Sequence, residues 1–560
     1  MLGRLQAHRD IQGSNAWTAG TILIVLAVFA PVVSLAVHAL TGSFAHWAHL
    51  ADSVILKAGT NTLILLAGVG VLVACLGTGA AWLVSAYEFP TRRILNWALL
   101  LPLAVPTYII AFAYLDLWHP LGPIQTVMRD LLGIESPRDF RLPDIRSLPG
   151  AIFLLGFVLY PYVYLSTRLM FITQAAGMIE AARILGEKPY GVLMRVALPL
   201  ARPAIAVGIS LALLETLNDI GASEFLGVQT MTVAVYTTWV TRGDLAGAAQ
   251  IALSMLIIVV FLIQLERQAR QRQRYSTVQR MRPMALKRLS GGSMVVAVTL
   301  GWIPVVIGFI LPAGYLAHEA LSRLGSAGAI SSQLISATWN TLSIALLATV
   351  ITLFCGLIVA WSTRRVRESA HGTTGTQWFA KGASIGYAIP GTVVAIGLLV
   401  PLMLVDNLLE QILSLAGIEV TQLLLMGSIA GLVIAYAIRF LAISVGSFEA
   451  GLSRIPPSIE QASRLLGHSP TATLRRVHLP LLRPAMATAA LLIFVDIMKE
   501  LPATLLLRPM NFDTLATWLY AEAARGTYEE GSLAALLIVL VGLIPVILLA
   551  RTQSKPLLSR

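Results

Sequence analysis

Long apolar stretches alternate with short polar, basic ones along nearly the whole chain, and each apolar stretch has about the 20 residues that cross a bilayer as a helix. They run near 17–40, 60–86, 95–115, 148–172, 203–225 and 245–265, then near 294–317, 340–362, 382–405, 422–448, 484–507 and 531–550. The pattern predicts an all-α polytopic membrane protein with about twelve transmembrane helices, surrounded by membrane lipid. Composition agrees: 57% of the 560 residues are hydrophobic and 12% are charged, too little polar surface for a soluble protein of this size.

Charge adds orientation. A formal net charge of +12 could suit nucleic acid, but the basic residues sit between spans, so no nucleic-acid partner is expected. Arg4 and Arg9 precede the first span, Arg92 and Arg93 follow the second, and Arg183, Lys188, Arg195 and Arg202 follow the fourth. The densest run, "LERQARQRQRYSTVQRMRPMALKRLS", follows the sixth. The positive-inside rule places all of these in the cytoplasm, with both termini inside. The loop 116–147 mixes Asp116, Asp130, Glu135, Asp139 and Asp144 with Arg129, Arg138, Arg141 and Arg146, so it belongs on the outer face. The first stretch exceeds a signal-peptide core and is needed to put Arg92 inside, so it reads as an uncleaved span of a bacterial inner-membrane protein. Cys75 and Cys355 fall within the second and eighth spans and read as apolar filler.

The spans repeat. "NTLILLAGVGVLVACLGTGAAW" from Asn61 matches "NTLSIALLATVITLFCGLIVAW" from Asn340, and "LAVPTYIIAFAYL" around Pro106 matches "YAIPGTVVAIGLL" around Pro390. The polar segment "EAARILGEKPYGVLMRVALPLARP" from Glu180 returns as "QASRLLGHSPTATLRRVHLPLLRP" from Gln461, with Gly186 and Gly467, Pro199 and Pro480, and Arg202 and Arg483 each 281 positions apart. The expected organisation is a first six-helix repeat over 1–265, a basic cytoplasmic linker over 266–292 and a second repeat over 293–560. An even number of spans gives both repeats one orientation, related by an axis along the membrane normal, with a passage at their interface.

A loop that only sets topology needs charge, not spacing. The repeated Gly and Leu-Pro frame specifies geometry instead. It predicts a short helix ending at Gly186, where a left-handed cap suits glycine, a second amphipathic piece, and a turn into the next span at Pro199, with Pro203 opening that span. Such a module suits docking of another protein. No G-x-x-x-x-G-K-[ST] occurs in the chain, so any nucleotide-driven work falls to a separate subunit.

The segment resembles the "EAA" loop of membrane subunits of binding-protein-dependent ABC importers: Glu-Ala-Ala, three residues, Gly, nine residues, a β-branched residue, one residue, Leu-Pro. The first copy matches throughout; the second has Gln461 for Glu and Ser463 for the second Ala. The resemblance implies the type I ABC importer fold and an alternating-access permease without bond chemistry or cofactor. It also implies two copies of an ABC ATPase and a periplasmic substrate-binding protein as partners. Glu180, Ala181 and Gly186, and Gln461, Ala462 and Gly467, would make the coupling helices that seat in the ATPase.

Ionisable residues inside spans are costly and commonly functional. The fifth span holds Glu215, Asn218, Asp219 and Glu224; its counterpart holds Asp496, Lys499 and Glu500. Glu215 and Asp219, like Asp496 and Glu500, are four apart and so are expected to share a helix face toward the passage. Two readings stand side by side: contact with cargo, for which oxygen donors suit a hard cation, or interhelical bonding in which Lys499 neutralises Asp496 or Glu500. "ETLNDIGASEFLGVQTMTVAVYTTW" and "DIMKELPATLLLRPMNFDTLATWLY" resemble the matching segments of fused two-copy permeases that import ferric iron, a group whose relatives carry thiamine, polyamines or aminophosphonates. Rival classes are a secondary transporter with six-plus-six spans, which would lack the paired loops, and a membrane enzyme, which would show one asymmetric constellation.

Overall fold

The computed structural model describes residues 2–41, 54–173, 176–272, 286–327, 330–368, 382, 386, 389–418 and 423–554. Part of the basic linker, 273–285, lies outside the described residues. The described residues are almost entirely helical. In chain order the helices are α1 (Leu2–Thr41), α2 (Leu56–Ala86), α3 (Arg92–Ala98), α4 (Thr107–Leu117), α5 (Pro123–Leu132), α6 (Leu148–Thr173) and α7 (Ala176–Ile184). Next come α8 (Pro189–Asn218), α9 (Gly221–Phe225), α10 (Met231–Val240), α11 (Leu245–Arg272), α12 (Gly292–Gly325) and α13 (Ser332–Glu368). The series closes with α14 (Gly391–Leu415), α15 (Ile429–Ser453), α16 (Pro457–Leu465), α17 (Pro470–Met498), α18 (Pro502–Leu507), α19 (Leu515–Arg525) and α20 (Tyr528–Ser554). One short parallel pair, β1 (Tyr87–Glu88) with β2 (Lys287–Arg288), holds the end of the linker beside the end of α2.

Among the described residues, eleven helices are long and apolar enough to cross a membrane, twelve if one bent pair counts as a span. That pair is the stretch expected as a straight third span over 95–115. It consists instead of Arg92–Ala104 and α4, bent by 93°. Pro106 has no N–H to continue a helix, and it forces the residue before it into extended backbone, as Val105 shows with φ −109° and ψ 121°. The loop 116–147, expected on the outer face, contains α5, and buried Arg129 holds Pro120 O at 2.7 Å while Gln125 holds Trp118 O at 2.7 Å.

The expected turn at Pro199 is absent; α8 runs unbroken from Pro189, with Pro203 inside it. The chain accommodates the proline by widening. A π-turn covers Val192–Ala197, where the Leu198 N–H reaches back five residues to Leu193 O. Two more π-turns, Val306–Ile310 and Leu474–His478, likewise end at a Leu-Pro, with Leu311 N–H on Val306 O and Leu479 N–H on Leu474 O. A proline ring collides with the carbonyl four residues earlier in a regular α-helix, and the wider turn moves that carbonyl aside.

Packing divides the chain into two compact units that interleave in sequence. One comprises 1–43, 238–253 and 335–517; the other comprises 44–237, 254–334 and 518–560. The division 1–265, 266–292 and 293–560 follows duplication along the chain, whereas each packed unit takes outer helices from the opposite repeat. In the first unit α1 lies along α14, so close that a Cβ at Gly397 would strike the Pro31 carbonyl; such near approach is how helices adhere where lipid removes the hydrophobic drive. In the second unit α12 and α20 pack together beside the 3₁₀ turn Leu101–Ala104, and Tyr114 Oη donates to Ile307 O at 2.8 Å.

The Asn-Thr pair that opened the repeated segment has one job in both units. Asn61 Nδ2 donates to Gln229 O at 3.1 Å and Thr62 Oγ1 accepts from Met231 N at 2.9 Å, capping the start of α10. Asn340 Nδ2 donates to Asp513 O at 3.0 Å and Thr341 Oγ1 accepts from Leu515 N at 2.8 Å, capping the start of α19. Orphan backbone groups at a helix start need partners wherever water is scarce, so the duplicated polar pair is structural.

Candidate functional site

The two repeated loops form two capped helix tips. Helix α7 ends with the Gly186 N–H on Arg183 O at 3.1 Å and the Glu187 N–H on Ala182 O at 3.1 Å, the double bond that a left-handed glycine permits. Gly186 has φ +84° and Gly467 φ +79°; in the second loop the His468 N–H reaches Ser463 O at 3.2 Å. Just before each glycine stand two outward apolar side chains: Ile184 and Leu185 are 85% and 86% exposed, Leu465 and Leu466 89% and 77%. Glu180 is half-buried on α7, whereas Ala181, Gly186, Gln461, Ala462 and Gly467 are exposed. The structure thus brings the expected coupling residues together on each tip, around a greasy pair that sequence spacing alone did not single out.

The tips are anchored by different chemistry. On α7 the inward residue is Ile179, fully buried. The position 281 residues later is Glu460, also buried, whose Oε2 receives Arg364 Nε at 3.4 Å. Arg364 projects from the end of α13 and also donates to Leu452 O at 2.5 Å and Ile455 O at 3.3 Å, tying α13, α15 and α16 together. His478 lies 3.8 Å from Glu460 and packs its ring 4.9 Å from Trp361. Ser463, the departure from Ala in the second loop, bonds Thr473 at 2.9 Å and fastens α16 to the start of α17. Glu460 was hidden in the sequence because it precedes Gln461 in an otherwise polar surface helix.

The intramembrane residues fall differently from expectation. Helix α8 stops at Asn218, and Asp219 leaves the helical conformation with ψ 113°, so Glu215 and Asp219 do not continue one helix face. Asp219 Oδ1 instead accepts the Ala222 N–H at 2.9 Å and caps α9. Glu500, 281 residues later, does the same for α18: its carboxylate accepts Ala503 N at 3.0 Å, Thr504 N at 3.1 Å and Thr504 Oγ1 at 2.8 Å. Helix α17 likewise ends before it, at Met498, which separates it from Asp496. Arg439 on α15 pairs with Glu500 at 2.8 Å, and Lys499 pairs with Asp496 at 2.9 Å. Of the two partners weighed for Lys499, it bonds Asp496. Asn218 is buried, and Glu215 half-buried. Among the described residues no three His, Cys, Asp or Glu side chains converge as a metal site.

A further constellation involves a residue the sequence reading passed over. Tyr520 Oη on α19 donates to Glu224 Oε2 at 2.6 Å, and its ring stacks on Phe225 with centroids 5.6 Å apart. Tyr236 on α10 lies beside Tyr520. Tyr520 is remote in sequence and sits in an unremarkable aromatic-containing helix, so no spacing rule points to it.

Paired capped loops, each preceding a membrane helix that carries a Leu-Pro after a π-turn, find their match in the family described as binding-protein-dependent transport system inner membrane component, which fits residues 68–275 and again 370–556. The chain belongs to this family. It is a fused two-copy ABC permease, a multi-pass membrane transport protein rather than an enzyme. The permease is 26% identical over 504 residues to the Fe(3+)-transport system permease protein FbpB 2 of Haemophilus influenzae, covering 89% of this chain and 90% of that protein. It is 29% identical over 234 residues to the putative 2-aminoethylphosphonate transport system permease protein PhnV of Salmonella typhimurium, covering 42% of this chain and 77% of that one. The putative 2-aminoethylphosphonate transport system permease protein PhnU of Salmonella choleraesuis matches at 29% over 201 residues, 35% of this chain and 69% of its own.

Proposed function

We propose that the permease imports ferric iron across a bacterial inner membrane, with both termini cytoplasmic. A periplasmic binding protein delivers the iron, and two copies of a separate ATPase, seated on α7 and α16, drive its passage. The observation that carries the coupling part is the exposed apolar pair before each cap glycine, Ile184–Leu185 and Leu465–Leu466. Apolar side chains held that far into water at the tip of a capped helix suit insertion into a groove of a partner. Glu180, Ala181 and Gly186, with Gln461, Ala462 and Gly467, shape the two tips. ATP binding closes the ATPase pair, the tips move with it, and the membrane halves rock to face the docked binding protein.

Iron as cargo is supported by end-to-end similarity to an Fe(3+) permease in one fused chain. The aminophosphonate permeases, which match over less than half the chain, favour a second reading in which the cargo is a 2-aminoethylphosphonate. Glu215, Asn218, Asp496 and Lys499 remain candidates for the passage, and Asp219 and Glu500 contribute to it by holding its broken helices. The test is ATP-driven uptake in vesicles containing permease, ATPase and binding protein, with labelled ferric ion and labelled 2-aminoethylphosphonate supplied in turn. Iron uptake supports the proposal; uptake of the phosphonate alone replaces it with the second reading.

A further inference from the structure

We propose that Glu224, Tyr520 and Tyr236 form a binding station that takes the ferric ion directly during passage; this rests on the ferric-iron reading and specifies the groups that meet the cargo. The Glu224 carboxylate and the Tyr520 hydroxyl lie 2.6 Å apart, and Tyr236 lies beside Tyr520 in the same packed unit. All three side chains are only half-buried, so they are reachable, unlike Asp219 and Glu500, which are buried and engaged with backbone. Carboxylate and phenolate oxygens are hard donors suited to a hard cation.

The geometry fits. A small octahedral cation with bonds of about 2 Å sets neighbouring donors about 2.8 Å apart, close to the observed carboxylate–phenol spacing. The Tyr520 proton that now bridges to Glu224 would leave as the ion binds both oxygens. The charge fits as well. On binding, each phenol O–H bond breaks, two Fe–O(phenolate) bonds and one Fe–O(carboxylate) bond replace three bonds from the ion to the water or chelator that delivered it, and two protons leave to water. No electron is transferred. One carboxylate and two phenolates carry three negative charges, which balance a trivalent ion where uncompensated charge is expensive. An ammonium group would need only Glu224 and would release no proton.

The constellation also occurs once. The positions 281 residues after Glu224 and Tyr236 are Leu505 and Thr517, whereas the capping carboxylates and the Asn-Thr pairs recur in both repeats.

The experiment uses the full chain in lipid nanodiscs, titrated with ferric nitrilotriacetate, reading the visible phenolate-to-iron charge-transfer absorption and the protons released. Tyr520→Phe keeps the ring stacked on Phe225 and removes only the oxygen; Glu224→Gln keeps an acceptor for Tyr520 and removes only the charge. The wild type should develop the absorption and, once the protons taken up by the freed nitrilotriacetate are added back, release two protons per ion. Each variant should bind at least about tenfold more weakly, with unchanged thermal unfolding, and Tyr236→Phe should halve the proton count. A wild type that imports iron yet shows no such absorption, or variants that bind as well as it does, overturns the station and leaves the ferric-iron reading standing. A wild type that imports only 2-aminoethylphosphonate overturns both.

Discussion

Arg439 Nη1 lies 2.8 Å from Glu500 Oε1, a buried ion pair that fastens α15 to the break between α17 and α18. The matching position in the first repeat is Val158, so Asp219 caps α9 with no arginine at that point. Removing one partner of a buried pair strands the other charge at about 3–5 kcal/mol. Glu500→Gln should therefore lower the unfolding temperature in detergent sharply, and uptake should fall with the folded fraction. Asp219→Asn, in which the amide oxygen still caps, should be mild in both assays. A fully stable Glu500→Gln protein without uptake would assign Glu500 to the cargo path instead.

The cap glycines make a sharper test of coupling than bulk alone. A Cβ at Gly186 or Gly467 meets nothing within 4 Å, so only backbone conformation resists substitution. Valine at φ +84° costs about 1–2 kcal/mol in the left-handed region, while asparagine tolerates it. Gly186→Val should impair iron uptake while the protein still inserts in the membrane, and Gly186→Asn should retain most of it. Equal uptake by both variants would remove the cap from the coupling mechanism.

Replacing Leu465 and Leu466 with Asp, or Ile184 and Leu185 with Asp, should abolish co-purification of the ATPase from that side. These side chains are almost wholly in water in the structure, so the permease itself should fold and extract normally. Undiminished ATPase capture by both double variants contradicts the seating on α7 and α16.

The ionic anchor under α16 has no counterpart under α7. Glu460→Gln should loosen the second tip alone, since Arg364 keeps its two carbonyl contacts but loses its carboxylate. Site-specific cross-linking to the ATPase should drop from a cysteine on α16 and stay unchanged from a cysteine on α7. A matched drop at both tips would mean that the anchor serves the whole fold.

Orientation can be checked with single cysteines and a membrane-impermeant thiol reagent. Positions in 286–292 and near the α7 cap should label only from the cytoplasmic side, and positions in 123–147 only from the periplasmic side. The reverse labelling would invert the chain and remove α7 and α16 from the ATPase.

Hydropathy and repetition determined a great deal unaided: the helical membrane fold, the duplication, and the helix that ends at Gly186. All are local properties, because a span is a length of apolar residues and a glycine cap is a backbone conformation written in a few neighbours. Tertiary structure decided what depends on partners distant in the chain. The bend beside Pro106 and the π-turns before Pro199, Pro312 and Pro480 show prolines absorbed in two ways, since a ring clash can be relieved by breaking a helix or by widening it. The fates of Asp219 and Glu500 turned on where α8 and α17 stop, which a four-residue spacing cannot register. Tyr520 meets Glu224, and Arg364 meets Glu460, only because helices far apart in sequence pack side by side; which polar groups share a site is fixed by that packing, not by the order of residues along the chain.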